Sequence, residues 1–128
     1  MGKVIKVNLA NNMTLVSVLH LENASALYAN AIDSTGDIGY FVQTSWNVQV
    51  APRIFKVDLT SNMSVLDSSD LNVGDGYVIN LLLTSDSTAL YMSAKDSKLN
   101  IYRISVHQET LQNLLTLKCC RFQRLTCR

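Results

Sequence analysis

Apolar and polar residues alternate with a period of two along most of the chain, and the alternation breaks at short clusters of turn formers. In "IFKVDL" (54–59) an extended backbone would carry Ile54, Lys56 and Asp58 on one side and Phe55, Val57 and Leu59 on the other, the pattern of a strand buried on one face. Helical spacing is poor throughout. The breaks fall at Ser34-Thr35-Gly36-Asp37, Thr60-Ser61-Asn62, Gly74-Asp75-Gly76 and Ser85-Asp86-Ser87, where short polar side chains or a missing Cβ suit tight reversals. The pattern predicts ten strands, over 3–9, 13–21, 26–33, 38–45, 53–59, 64–71, 77–84, 88–94, 99–106 and 110–117. Pro52 precedes the fifth, where a lost N–H does least harm.

The runs also repeat. "VIKVNLANNM" (4–13) returns as "IFKVDLTSNM" (54–63) and begins again as "IYRISV" (101–106), at spacings of 50 and then 47 residues. "TLVSVLHL" (14–21) lies over "SVLDSSDL" (64–71) and "TLQNLLTL" (110–117), and "AIDSTGDIGYF" (31–41) over "LLTSDSTALYM" (82–92). Each period therefore holds four short strands. A four-stranded antiparallel meander repeated every 45 to 50 residues or so is the unit of a β-propeller, whose blades pack face to face around a channel. The expected fold is all-β, an incomplete β-propeller of four-stranded antiparallel blades. The alternative is an open β-sandwich or hairpin sheet, which short, evenly spaced strands also suit.

The stretch "AIDSTGDIGYFVQTS" followed by "RIFKVDL" resembles the repeat of the YVTN and NHL-like β-propellers, a superfamily that includes lactonase-like rings. The likeness lies in a first strand ending at Asp33, a Gly36-Asp37 turn, a second strand bearing Tyr40, and a third ending in Val57-Asp58-Leu59. The next copy keeps Tyr91 but has Ser87 for Gly36 and Thr84 for Asp33. The resemblance spans 3–117, and its motifs are structural.

In that strand order, 3–21 supplies the two outer strands of one blade, 26–71 a full blade and 77–117 another, so 1–117 is a partial propeller of two and a half blades. Rings of this class hold about four to eight. The chain is therefore expected to be a piece of a longer propeller, with the missing blades in its parent. Two copies would not complete each other's half blade, because each brings outer strands and neither has inner strands to lend. Residues 118–128, "KCCRFQRLTCR", leave the alternation and form a non-repeat tail.

Composition narrows the chemistry. The 128 residues carry 11 Lys and Arg against 10 Asp and Glu, so no basic field invites nucleic acid. No apolar run approaches the roughly 20 residues of a membrane helix, so no membrane insertion is expected. Met1 leads directly into "KVIKVNL", unlike a secretory leader. The compartment stays open, although the sequons at Asn12, Asn23 and Asn62, two of them at matching repeat positions, suit a secreted parent. Cys119, Cys120 and Cys127 all lie in the tail, without the ligand spacing of a zinc site.

No P-loop, HExxH, GxSxG, CxxC or EF-hand pattern occurs, and neither His20 nor His107 has a nucleophile pattern nearby. No catalytic residue, metal ligand or cofactor is assigned. The expected function is a non-enzymatic propeller segment that offers a binding surface to a protein or glycan. The alternatives are a remnant of a lactonase-like or other hydrolase propeller, which the resemblance alone implies, or a segment with no independent function. The longest connector, "SWNVQVAP" (45–52), should share a rim with "ENAS" (22–25) and "NVGDG" (72–76), and binding concentrates on such loops. Trp46 as apolar anchor, with Asn47, Gln49 and Asp75 as polar orienters, are the candidate binding residues.

Overall fold

The computed structural model describes residues 2–24, 26–44, 51–71, 77–95, 99–106 and 111–117. It is all-β, with no helix among those residues. The ten strands are β1 (Gly2–Asn8), β2 (Thr14–Leu21), β3 (Leu27–Ile32), β4 (Ile38–Gln43), β5 (Arg53–Asp58), β6 (Ser64–Asp70), β7 (Tyr77–Leu83), β8 (Ala89–Lys95), β9 (Leu99–Val106) and β10 (Leu111–Leu117). They form a hairpin, β1-β2, and two four-stranded sheets in sequence order, β3-β4-β5-β6 and β7-β8-β9-β10. Every pairing is antiparallel.

Turn chemistry sets the strand ends. Between β3 and β4, Gly36 takes a φ of 80°, and the N–H of Asp33 closes the reversal on the Ile38 carbonyl at 2.9 Å. Between β7 and β8, Ser87 takes the same left-handed conformation with a φ of 58°, and the Thr84 N–H bonds the Ala89 carbonyl at 2.9 Å. In the five-residue loop of the hairpin, Asn12 and Met13 both have positive φ, at the centre of a tight turn closed by the Thr14 N–H on the Asn11 carbonyl at 3.1 Å. Bulges recur at matching places: the register slips at Tyr28 between β3 and β4 and at Ile79 between β7 and β8.

The three sheets are layers. Tyr40, Val42 and Ile54 on one face of the middle sheet pack with Leu90, Met92 and Tyr102 of the third sheet. Phe55 and Val57 on the opposite face pack with Val4, Leu21 and Ala24 of the hairpin segment. Full burial of an aliphatic or aromatic side chain contributes roughly 1.5–3 kcal/mol, so these two contacts hold the layers together. The middle and third sheets approach most closely through β3 and β7, with a second, smaller approach between β6 and β10.

The middle layer departs from the half-buried strand that its alternation predicts. In β5, Ile54, Phe55, Lys56 and Val57 are all buried, Lys56 to 3% exposure. A strand covered on both faces has no solvent side on which to place its polar positions. At the two ends of the stack the opposite holds. Ile5, Val7 and Leu9 are exposed on the outward side of the hairpin, and Leu82 is exposed on the outward face of the third sheet.

Candidate functional site

Trp46, Asn47, Gln49 and Asp75, the binding residues expected from sequence, all lie outside the described residues, in 45–50 and 72–76. The structure places the strand ends that lead to them. The Thr44 N–H bonds the Ala26 carbonyl at 3.2 Å, and the Leu71 N–H bonds the Pro52 carbonyl at 2.7 Å, fixing both sides of the long connector to the middle sheet. Gln43 and Thr44, just before it, are buried, and Gln43 Oε1 and Thr44 Oγ1 have no hydrogen-bond partner among the described residues.

The carboxylates that can be described act within turns. Asp33 Oδ1 accepts from the N–H groups of Asp37 (2.9 Å) and Ile38 (3.1 Å), and the Thr35 hydroxyl donates to Oδ2 at 2.8 Å. Desolvation, the largest single effect on its carboxyl, pushes its pKa up. The hydrogen bonds from Ile38, Thr35, Asp37 and Gly36 together outweigh it and hold the carboxyl below its ordinary value. Asp86 repeats the role in the β7–β8 turn, where the Thr84 hydroxyl donates at 2.6 Å and the Thr88 N–H at 3.1 Å, so its pKa is lowered too. Burial raises the pKa of the Tyr40 hydroxyl, and the Asp33 charge adds to the shift. On the middle sheet, Arg53 Nε donates to Asp70 Oδ1 at 2.6 Å across the β5-β6 pair and lowers the Asp70 pKa. Among the described residues no three His, Cys, Asp or Glu groups converge as a metal site would require.

A groove of about 520 Å³ lies between β1 and the middle sheet. One wall is β1 itself from Lys3 to Val7, which pairs with β2 on one side and has no strand on its other side among the described residues. The opposite wall is apolar: Leu27, Ile32, Phe41, Leu59 and Met63. Lys6 closes one end, its Nζ donating to the Leu59 carbonyl at 2.7 Å and the Thr60 carbonyl at 3.1 Å. An unpaired strand edge beside apolar side chains provides what extended polypeptide needs, main-chain partners along one side and pockets for alternate side chains on the other. A smaller groove of about 410 Å³, between the β2 end and the β5-β6 pair, is lined by His20, Glu22, Arg53 and Phe55.

No family model matches the chain, and no curated protein matches it either. Nearness in the groove of residues so far apart in sequence hid it from a reading of loops. One signal was present, the basic residue third in each of "VIKVNL", "IFKVDL" and "IYRISV": Lys6 reaches across a layer boundary, Lys56 is buried at the next one, and Arg103 is half-buried on the third sheet.

Proposed function

We propose that the chain is a non-enzymatic segment of a β-propeller related to the YVTN and NHL-like repeats, serving as an interaction surface within a longer parent. The observation that carries this reading is the ordered stack. Each layer presents the same kind of face to the next, and the two four-stranded meanders come closest at their first strands, β3 and β7. A convergence of that kind is what wedge-shaped blades around an axis require. The hairpin β1-β2 corresponds to strands three and four of such a blade, and the groove along β1 lies where its strands one and two would sit. The missing strands would come from the parent, and the partner of the completed surface is a protein or glycan.

Coding DNA on both sides of this segment tests the reading directly. Further copies of the "VIKVNL" phrase at spacings near 50 residues are expected, enough to complete a ring of about four to eight blades; flanks without any copy would overturn it. The non-enzymatic part is tested on the purified parent, which should leave lactone substrates intact with and without divalent metal. Turnover that chelation abolishes would replace this reading with the hydrolase one.

A further inference from the structure

The two contacts inside the chain are the same contact made twice. In the first, Val4 and Lys6 of β1 face the middle sheet and cover Phe55, Val57 and Leu59. In the second, Ile54 and Lys56 of β5, at the matching positions, face the third sheet and cover Tyr102, Ile104 and Val106. The covered triplets also match each other, at the second, fourth and sixth places of "IFKVDL" and "IYRISV". Both halves of this contact then appear once more with nothing against them among the described residues. The covering half is Ile101 and Arg103, with Leu82 beside them 65% exposed, on the outward face of the third sheet. The covered half is Ile5, Val7 and Leu9, exposed at 58%, 39% and 75%, on the side of β1 opposite Val4 and Lys6, where they also border the open groove along β1.

We infer that the outward face of the third sheet of one copy docks on the outward side of the β1-β2 hairpin of a second copy of this chain, head to tail. A second copy is the occupant because the chain carries both complementary halves, at opposite ends of one stack, and the contact continues an interface it already uses twice. A hydrogen-bond detail points the same way. The Leu59 carbonyl that receives Lys6 is presented by a turn in which the Thr60 N–H bonds Asp58 Oδ1 at 2.8 Å. The end of β1 has the same turn, with the Ala10 N–H bonding Asn8 Oδ1 at 2.9 Å, so the Leu9 carbonyl is presented in the same way. Arg103 of one copy donates to that Leu9 carbonyl of the next, as Lys6 donates to Leu59. A depression of about 140 Å³ lined by Leu82, Tyr91 and Ile101 receives the apolar side chains. No strands are exchanged. Unlike patches meet in this contact, so it is heterologous and builds a closed ring or an open filament rather than a two-fold dimer. No central axis is needed for this contact, since a plain stack of layers would carry it equally; in a longer parent, further layers would take the place of the second copy on the same two faces.

Sedimentation velocity on the full chain tests it, in reducing buffer so that Cys119, Cys120 and Cys127 cannot cross-link copies. The wild type should grow beyond a monomer as concentration rises, and Ile5→Glu and Leu82→Glu, both at exposed positions, should each be monomeric alone. Mixed together, they should form a one-to-one dimer and nothing larger, through the single intact face on each. Arg103→Gln should weaken association by about tenfold, the scale of one charge-assisted hydrogen bond. Circular dichroism checks that the variants fold, and Ile5→Thr with Leu82→Thr repeats the mixing if a glutamate disturbs a strand. A wild type that stays monomeric at every concentration overturns the inference. So does either Glu variant that still self-associates, or a mixture that remains monomeric.

Discussion

Lys6 on β1 and Leu59 at the end of β5 are joined by a 2.7 Å hydrogen bond from ammonium to carbonyl, across 53 residues of chain and the boundary between two layers. The bond satisfies a carbonyl at a strand end, and the aliphatic stem of Lys6 lies along the groove wall. Replacing Lys6 by Met keeps the stem and removes the donor. The expected result is a loss of about 1–2 kcal/mol in urea unfolding, part of it screened by salt because the Lys6 charge also acts on Asp58. An unchanged midpoint would mean that water satisfies the Leu59 carbonyl equally well.

Gly36 and Ser87, left-handed at matching turns, should respond in opposite directions. Gly36 has a φ of 80° and open space around its Cα, so Gly36→Ala meets no clash and its cost is backbone strain alone, about 1 kcal/mol. Ser87 holds the same conformation with a Cβ, and Ser87→Gly should relieve strain and raise the melting temperature by a few degrees, about 1 kcal/mol or less. Thermal melts of the two variants read both effects.

Acid should weaken the fold through the turn carboxylates. Asp33, Asp58, Asp70 and Asp86 all have pKa values lowered by folding. A carboxyl with a depressed folded pKa contributes stability that is complete above the unfolded value, about 3.9, and disappears as pH falls through the folded value. Unfolding midpoints should therefore be flat near neutrality and drop from about pH 5 downward. Asp33→Asn keeps an acceptor but not the titration, so it should flatten the acid limb; an unaltered limb would exclude Asp33 as a contributor.

Core and edge positions of similar chemistry should differ sharply. Leu90 is fully buried between the middle and third sheets, and Leu90→Ala should cost about 2–5 kcal/mol, which is the transfer loss plus the cavity left behind. Leu66, on the last strand of the middle sheet, is 48% exposed, and Leu66→Ala should cost under about 1 kcal/mol. Equal losses in chemical denaturation would contradict the layer assignment.

All ten strands were legible from alternation and turn residues, to within a residue or two at each end. The reason is local: a two-residue period and a cluster such as Ser34-Thr35-Gly36-Asp37 act over a few bonds. The roles of Asp33 and Asp86 as turn acceptors were legible for the same reason. The candidate surface was not. The groove joins β1 to Leu27, Phe41 and Leu59, residues that no local pattern brings together. The sequence-derived candidates Trp46, Asn47, Gln49 and Asp75 fall outside the described residues.

By itself the sequence determined the extended strands, their turns, and the recurrence of one phrase that makes successive layers alike. Only the tertiary structure decided which of those like faces are covered. Alternation sends Phe55 and Lys56 to opposite sides of a strand, but whether one side or both meets another layer depends on what stacks against the sheet. Among the described residues the middle sheet has a neighbour on each side and buries both residues, while the hairpin and the third sheet have one neighbour each and leave Ile5 and Leu82 exposed.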